Sequence, residues 1–133
     1  MNIKTQINQR ISEIADQLET ARARVFDKWG SYLFTGDIEE AKQLTAAQIA
    51  FLTLFEERYE HDIYPKVFKD IYDCFFYYFD EEEKEYVILL HGLTIANIES
   101  GEWSLLYQNE DPYGPIVHLD FENWELVSSS LSS

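Results

Sequence analysis

Residues 44–79, LTAAQIAFLTLFEERYEHDIYPKVFKDIYDCFFYYF, constrain the fold more than any other stretch of the chain. They open on a capping box. The Thr45 hydroxyl is placed to accept the backbone N–H three residues on, and the Gln48 side chain to reach back to the N–H of Thr45. Leu44 and Ile49 flank the cap at the spacing of a hydrophobic staple. A helix is therefore expected from Ala46 to about Glu60, with Phe51, Leu52, Phe55 and Tyr59 inward and Glu56, Glu57 and Glu60 outward. Pro65 disfavours helical geometry at Tyr64, so a break is expected at 61–64, with Asp62 capping the helix that follows. Beyond it Phe68, Ile71, Tyr72, Phe75 and Phe79 fall on one aromatic stripe of a second helix.

Upstream, residues 3–29 read as one long helix. Ile7, Ile11, Ile14, Leu18, Ala21 and Val25 alternate spacings of four and three, a heptad seam lasting nearly three heptads. So narrow a seam packs onto the same chain or zips to a second copy, and its shortness favours the first. The second possibility makes Ile7, Ile11, Ile14 and Leu18 a homodimer contact. Gly30 is expected to stop this helix, and Ser31-Tyr32-Leu33-Phe34 to form a short strand or a wedge under the core. Thr35-Gly36-Asp37 reads as a turn and 38–42 as one helical turn.

Asp80-Glu81-Glu82-Glu83 sits badly at a helix C-terminus and well at an N-terminus, where the dipole favours carboxylates. Asp80 is thus expected to cap a short helix over 81–91, with a strand as the rival because Tyr86-Val87-Ile88 favours extended backbone. After Gly92 short segments alternate with turn signals: 93–98, 102–108, 115–120 and 124–128, separated by Ser100-Gly101, Asp111-Pro112-Tyr113-Gly114 and Glu122-Asn123. Trp103, Leu105 and Tyr107 alternate with polar residues, as do Val117 and Leu119, which gives the meander one apolar face. The expected fold is α+β: three to four helices packed on one face of a small C-terminal antiparallel β-meander. The expected layout is a single domain over 1–133, with a helical part at 3–91, the meander at 93–128 and a frayed serine-rich tail at 129–133.

At 133 residues a single core burying roughly two-thirds of the unfolded surface is enough for stability. The formal charge of −15 produces a negative potential over much of so small a surface. That discourages contact with nucleic acid and anionic membranes and speeds encounter with basic partners, the alternative being that the acidity serves only to keep the protein in solution. Cys74 is the only cysteine, so no internal disulfide forms, and its place beside Phe75 suits a buried inert thiol better than a nucleophile. The first residues lack the apolar core of a signal peptide, and no run approaches the ~20 apolar residues of a membrane span. A cytoplasmic protein is expected.

His61, His91 and His118 are each isolated, without the paired spacing of a zinc site. The Asp80–Glu83 run lacks the alternating ligands and glycine of a calcium loop. No nucleophile stands beside a base, and five scattered glycines do not make a phosphate cradle. Neither metal, cofactor nor catalytic residue is assigned, and the chain is not expected to be an enzyme. The binding candidates are Trp103, Tyr107, Glu110, Asp111, Tyr113, Asp120, Glu122 and Trp124, where rings flanked by carboxylates would anchor and steer a partner presenting lysine and arginine; the alternative is that the tryptophans are core and the acids are solvated turns.

The order LTAAQ, an amphipathic helix ending in Tyr77-Tyr78, an apolar link, and then LTIANIESGEWSLLYQNEDPYGPIVHLDFENWELVSS resembles a group of bacterial domains of the immunity-protein type. The resemblance covers residues 44–128 and carries over no catalytic site. It implies a small binding protein that neutralises a toxin; taken with the acidic surface, the expected action is stoichiometric inhibition of a basic toxin domain, with carboxylates able to occlude a nuclease's nucleic-acid groove. The alternative is a homodimeric structural or adaptor protein that uses the N-terminal heptad helix.

Overall fold

The computed structural model describes residues 2–33, 43–75, 88–109 and 116–132, with backbone alone at Tyr72, Cys74, Phe75, Ile88, Asn109 and Ser132. The turn at 35–37, the helical turn at 38–42, Phe79, the Asp80 cap with 81–87, the turn at 111–114 and the Cys74 thiol lie outside the described residues. The fold is α+β, two helical rods followed by a four-stranded antiparallel sheet.

The first rod is α1 (Ile3–Ile14) and α2 (Leu18–Trp29), joined by a 3-10 turn at Ala15–Gln17. Asn2 starts it, its Oδ1 accepting the Thr5 N–H at 2.8 Å. Ile3, Ile7, Val25 and Trp29 at the two ends of the seam are buried, while Ile11, Ile14, Leu18 and Ala21 near the 3-10 turn are half-buried against the same core. The heptad seam thus packs within the chain. The α-helix stops at Gly30 as expected, though the glycine caps it in right-handed rather than left-handed conformation, and a 3-10 turn, Gly30–Tyr32, continues to Leu33, which forms a parallel bridge to Leu93.

The second rod is α3 (Ala46–Arg58) and α4 (Tyr64–Phe75), joined through a π-helical turn at Tyr59–Ile63. Its start is the capping box: Thr45 Oγ1 accepts the Gln48 N–H at 3.1 Å and Gln48 Oε1 accepts the Thr45 N–H at 2.9 Å. All seven residues from Ile49 to Phe55 are buried, so α3 has no solvent face over two turns and must be covered on every side. The first rod covers one side. The sheet covers another, through Trp103 against Phe51 and Phe55 at 5.5 and 5.6 Å.

The expected three to four helices are therefore two, each locally rewound. The expected break at 61–64 is absent because the wider π turn carries the chain to Pro65. There the Tyr64 N–H reaches the Tyr59 carbonyl, and the proline ring is given room it lacks inside an ordinary α-helix. Asp62 consequently caps nothing; it lies inside the rod.

The sheet order is β1-β2-β3-β4, with β1 (Ile88–Asn97), β2 (Glu102–Asn109), β3 (Ile116–Glu122) and β4 (Glu125–Ser132). Residues 88–91 are strand rather than the end of a helix: Leu90 pairs with Tyr107 on the inner face as Leu93 pairs with Leu105. The serine-rich tail does not fray through 129–132. Leu131 faces inward opposite Val117, while Ser128 and Ser130 face outward opposite Asp120 and His118, where a hydroxyl tolerates solvent. The meander thus spans 88–132 rather than 93–128. Both edge strands carry bulges, β1 at His91 and Ala96 and β4 at Val127, while β2 and β3 pair in unbroken register.

Thr45→Ala is expected to remove about 1 kcal/mol of stability, a fall in Tm of roughly 3–5 °C. Phe55→Ala, inside the fully buried run, is expected to remove about 3–5 kcal/mol. Urea midpoints check the ranking, and an unchanged midpoint for Thr45→Ala would mean that the box contributes nothing.

Candidate partner-binding surface

Three of the rings expected to anchor a partner are instead core. Trp103 is 2% exposed, stacked on Phe121 at 4.2 Å, and its Nε1 donates to the Asn123 carbonyl at 2.5 Å. Tyr107 is fully buried, its hydroxyl 2.5 Å from that of Tyr59. Burial pushes both phenols above the usual tyrosine range, Tyr107 far above it, since the charged form would lose its water. Trp124 is 7% exposed and parallel to Phe51 at 6.0 Å. Its Nε1 donates to Gln6 Oε1 at 2.6 Å, and the Arg58 guanidinium lies 4.7 Å from its ring. Each polar ring atom finds its partner inside the molecule, which is what lets the rings be buried.

The carboxylates take the opposite face. Asp120 and Glu122 are exposed on the outer side of β3, with Asp120 accepting the Ser128 hydroxyl at 2.9 Å. Glu110, Asp111 and Tyr113 lie outside the described residues. The register adds two residues that sequence reasoning missed: Glu102 on β2 and Glu125 on β4 stand directly opposite Glu122, one on each side. Alternation from Trp103 would have found Glu102, since neighbours of an inward ring point outward.

The distribution of cations sharpens this. Every described lysine and arginine lies on the helical rods or their π turn, within ion-pair distance of a carboxylate. Lys4 meets Glu99, Arg10 meets Glu57 at 2.7 Å, and Arg22 meets Glu19. Arg24 and Lys28 share Glu56, Arg58 and Lys66 share Asp62, and Lys69 meets Asp73. Residues 85–133 contain no lysine or arginine at all. Of the sheet's carboxylates only Glu99 has a cation; Glu102, Asp120, Glu122 and Glu125 have none among the described residues.

Asn123 fixes the end of the sheet where those glutamates gather. It sits in left-handed conformation with φ 55°, and its N–H donates to the Gly101 carbonyl at 2.8 Å. Its Oδ1 accepts the Ile3 N–H at 2.9 Å, tying the first turn of α1 to the hairpin. Gly101, at φ 75°, could not carry a Cβ, which would fall 2.5 Å from Asn123 Oδ1. Two open troughs flank this corner. One, about 560 Å3, is lined by Asn2, Glu122, Asn123, Trp124, Glu125 and Val127. The other, about 510 Å3, lies between α4 and the start of β4 and includes Lys66, Lys69, Asp70, Asp73 and Glu125.

His61, His91 and His118 lie on the π turn, β1 and β3, and no group of three metal-type ligands assembles among the described residues. Ile7 is 1% exposed and therefore unavailable to a second copy, whereas Ile11, Ile14 and Leu18 keep partial exposure. Among the described residues no helix is long and apolar enough to cross a membrane.

Asn123→Ala is expected to cost about 2–4 kcal/mol, from left-handed strain plus the orphaned Ile3 N–H. Asn123→Gly, which relieves the strain, should cost less, and calorimetric Tm values test that order. Hydrogen bonding from Lys66, together with Arg58, holds the Asp62 carboxyl below its usual range. At Glu56 partial burial opposes the charge, but the hydrogen bonds from Arg24 and Lys28 outweigh it and leave that carboxyl depressed too. The stability both groups confer is present above the unfolded carboxylate pKa of roughly 4 and is lost as pH falls through the lower folded values. Asp62→Asn should flatten part of that acid loss in urea midpoints measured from pH 6 to pH 3. Compared with family models, with curated proteins and with solved structures, the chain matches none.

Proposed function

We propose that this chain is a stoichiometric binding protein that inhibits a basic protein partner, of the toxin-neutralising immunity type, acting in the cytoplasm without turnover. One observation carries the reading: the described cations are all ion-paired on the helical rods, while the sheet presents Glu102, Asp120, Glu122 and Glu125 with no cation within ion-pair distance among the described residues. A partner's lysines and arginines relieve that excess, and the long-range field speeds the encounter. The resemblance of residues 44–128 to immunity-type domains supports the same class. Because Trp103, Tyr107 and Trp124 are core, recognition rests on charge and backbone rather than on aromatic anchors. The adaptor alternative draws only on the half-buried Ile11, Ile14 and Leu18.

The test is capture of the partner from the source cell at low salt, followed by association kinetics with the purified pair. The expected result is a one-to-one complex with a protein of net positive charge, whose association slows as salt rises. Replacing Glu102, Glu122 and Glu125 together by glutamine should slow association by about tenfold while leaving the melting curve in place. A partner of net negative charge, or salt-independent association, would sink the reading. So would self-association that is lost on Ile14→Lys and Leu18→Lys.

A further inference from the structure

The sheet has two edges of unlike character. β1 carries two bulges, and its outer side already holds the bridge from Leu33. β4 carries one bulge at its start, and beyond Val127 its register with β3 is regular from Ser128 to Ser132. Among the described residues no strand pairs with its other side. That edge holds neither proline nor a charged residue from 126 to 132, the devices that usually blunt an open edge. It is therefore a row of backbone donors and acceptors ready to pair.

The surroundings say what would pair there. Glu125 opens β4, with Glu122 and Glu102 beside it in one cross-sheet row, so the free backbone begins at the most acidic corner of the sheet. The cations facing the same edge from α4 are Lys66, paired to Asp62 and donating to the Trp124 carbonyl at 3.4 Å, and Lys69, paired to Asp73, with Asp70 beside them. The trough between α4 and the start of β4 leaves room alongside. Val127, 57% exposed on its bulge, offers an apolar contact at that point. A second copy would bring another chain of formal charge −15 to this corner, whereas an extended basic segment places cations opposite Glu125 and Glu122.

We infer that β4 is a docking edge for an extended, lysine- or arginine-bearing segment of a partner protein, which adds to the sheet as a fifth strand. This rests on the basic-partner reading and deepens it by naming the element and the mode of contact.

The probe is a ten-residue peptide of alternating lysine and valine, compared with the same peptide methylated at every backbone nitrogen, which keeps the charge and removes the donors. The plain peptide should bind at low salt and slow amide exchange at 126–131. The methylated one should bind at least about tenfold more weakly, and Glu122→Gln with Glu125→Gln should weaken the plain peptide by roughly threefold to tenfold. Equal affinity for the two peptides, or protection confined to elements other than β4, overturns the docking edge and leaves the basic-partner reading standing. If neither cationic peptide binds, both readings fall. Slow exchange at 126–131 that depends on protein concentration without peptide would give the edge to a second copy and overturn the inference.

Discussion

The structure depends on a helix that has no face for water. From Ile49 to Phe55 every residue of α3 is buried, so the chain must supply cover on all sides of those two turns. One amphipathic rod covers part of the circumference. A sheet with one apolar face covers another, and the rings meet where the two layers join: Phe51 and Phe55 from the helix, Trp103, Phe121 and Trp124 from the hairpin strands and their turn. Buried aromatics of this size dominate core energetics, and their edge-on and stacked contacts add specificity to bulk burial.

That demand sorts the rest of the chemistry. Trp103, Tyr107 and Trp124 bring polar atoms into the core, and each meets a partner there, whereas the buried Trp29 Nε1 has none among the described residues. Asn123, Gln6 and Tyr59 supply those partners, so the β3–β4 turn, the first turn of α1 and the end of α3 are locked together by the needs of three rings. Asn123 serves Trp103 with its carbonyl and Ile3 with its side chain, in a backbone conformation asparagine tolerates better than most residues. The carboxylates, which have no such partners inside, are left outside.

Local signals were legible and neighbourhood arguments were not. The Thr45–Gln48 box, the in-chain heptad seam and the alternation of Trp103, Leu105 and Tyr107 follow from periods of 3.6 and 2, and the structure has them all. Pro65 misled because a proline interrupts an α-helix but is accommodated by a π turn, which depends on how the flanking segments pack. The serine-rich tail misled because a strand's outer face accepts serine readily once Leu126 and Leu131 anchor its inner face. Trp103 and Trp124 adjoin acids in sequence, which suggests a binding surface, yet both are buried. In a strand, adjacent residues point to opposite faces, so Glu102 beside Trp103 is an argument for separating them.

The same geometry makes the glutamate row difficult to account for within the fold. Glu102, Glu122 and Glu125 stand side by side across three strands, an arrangement that like-charge repulsion disfavours. A lysine at any neighbouring outward position would relieve it, yet those positions hold Asn97, Ser104, Asp120 and Ser128. Solubility does not require the row, because the chain is strongly acidic without these three residues. Packing does not require it either, because all three residues are exposed. The unrelieved repulsion therefore weighs against the isolated molecule and favours whatever brings positive charge to that corner. Since the row ends on Glu125, where β4 and its open backbone edge begin, charge and hydrogen-bonding capacity draw on the same partner.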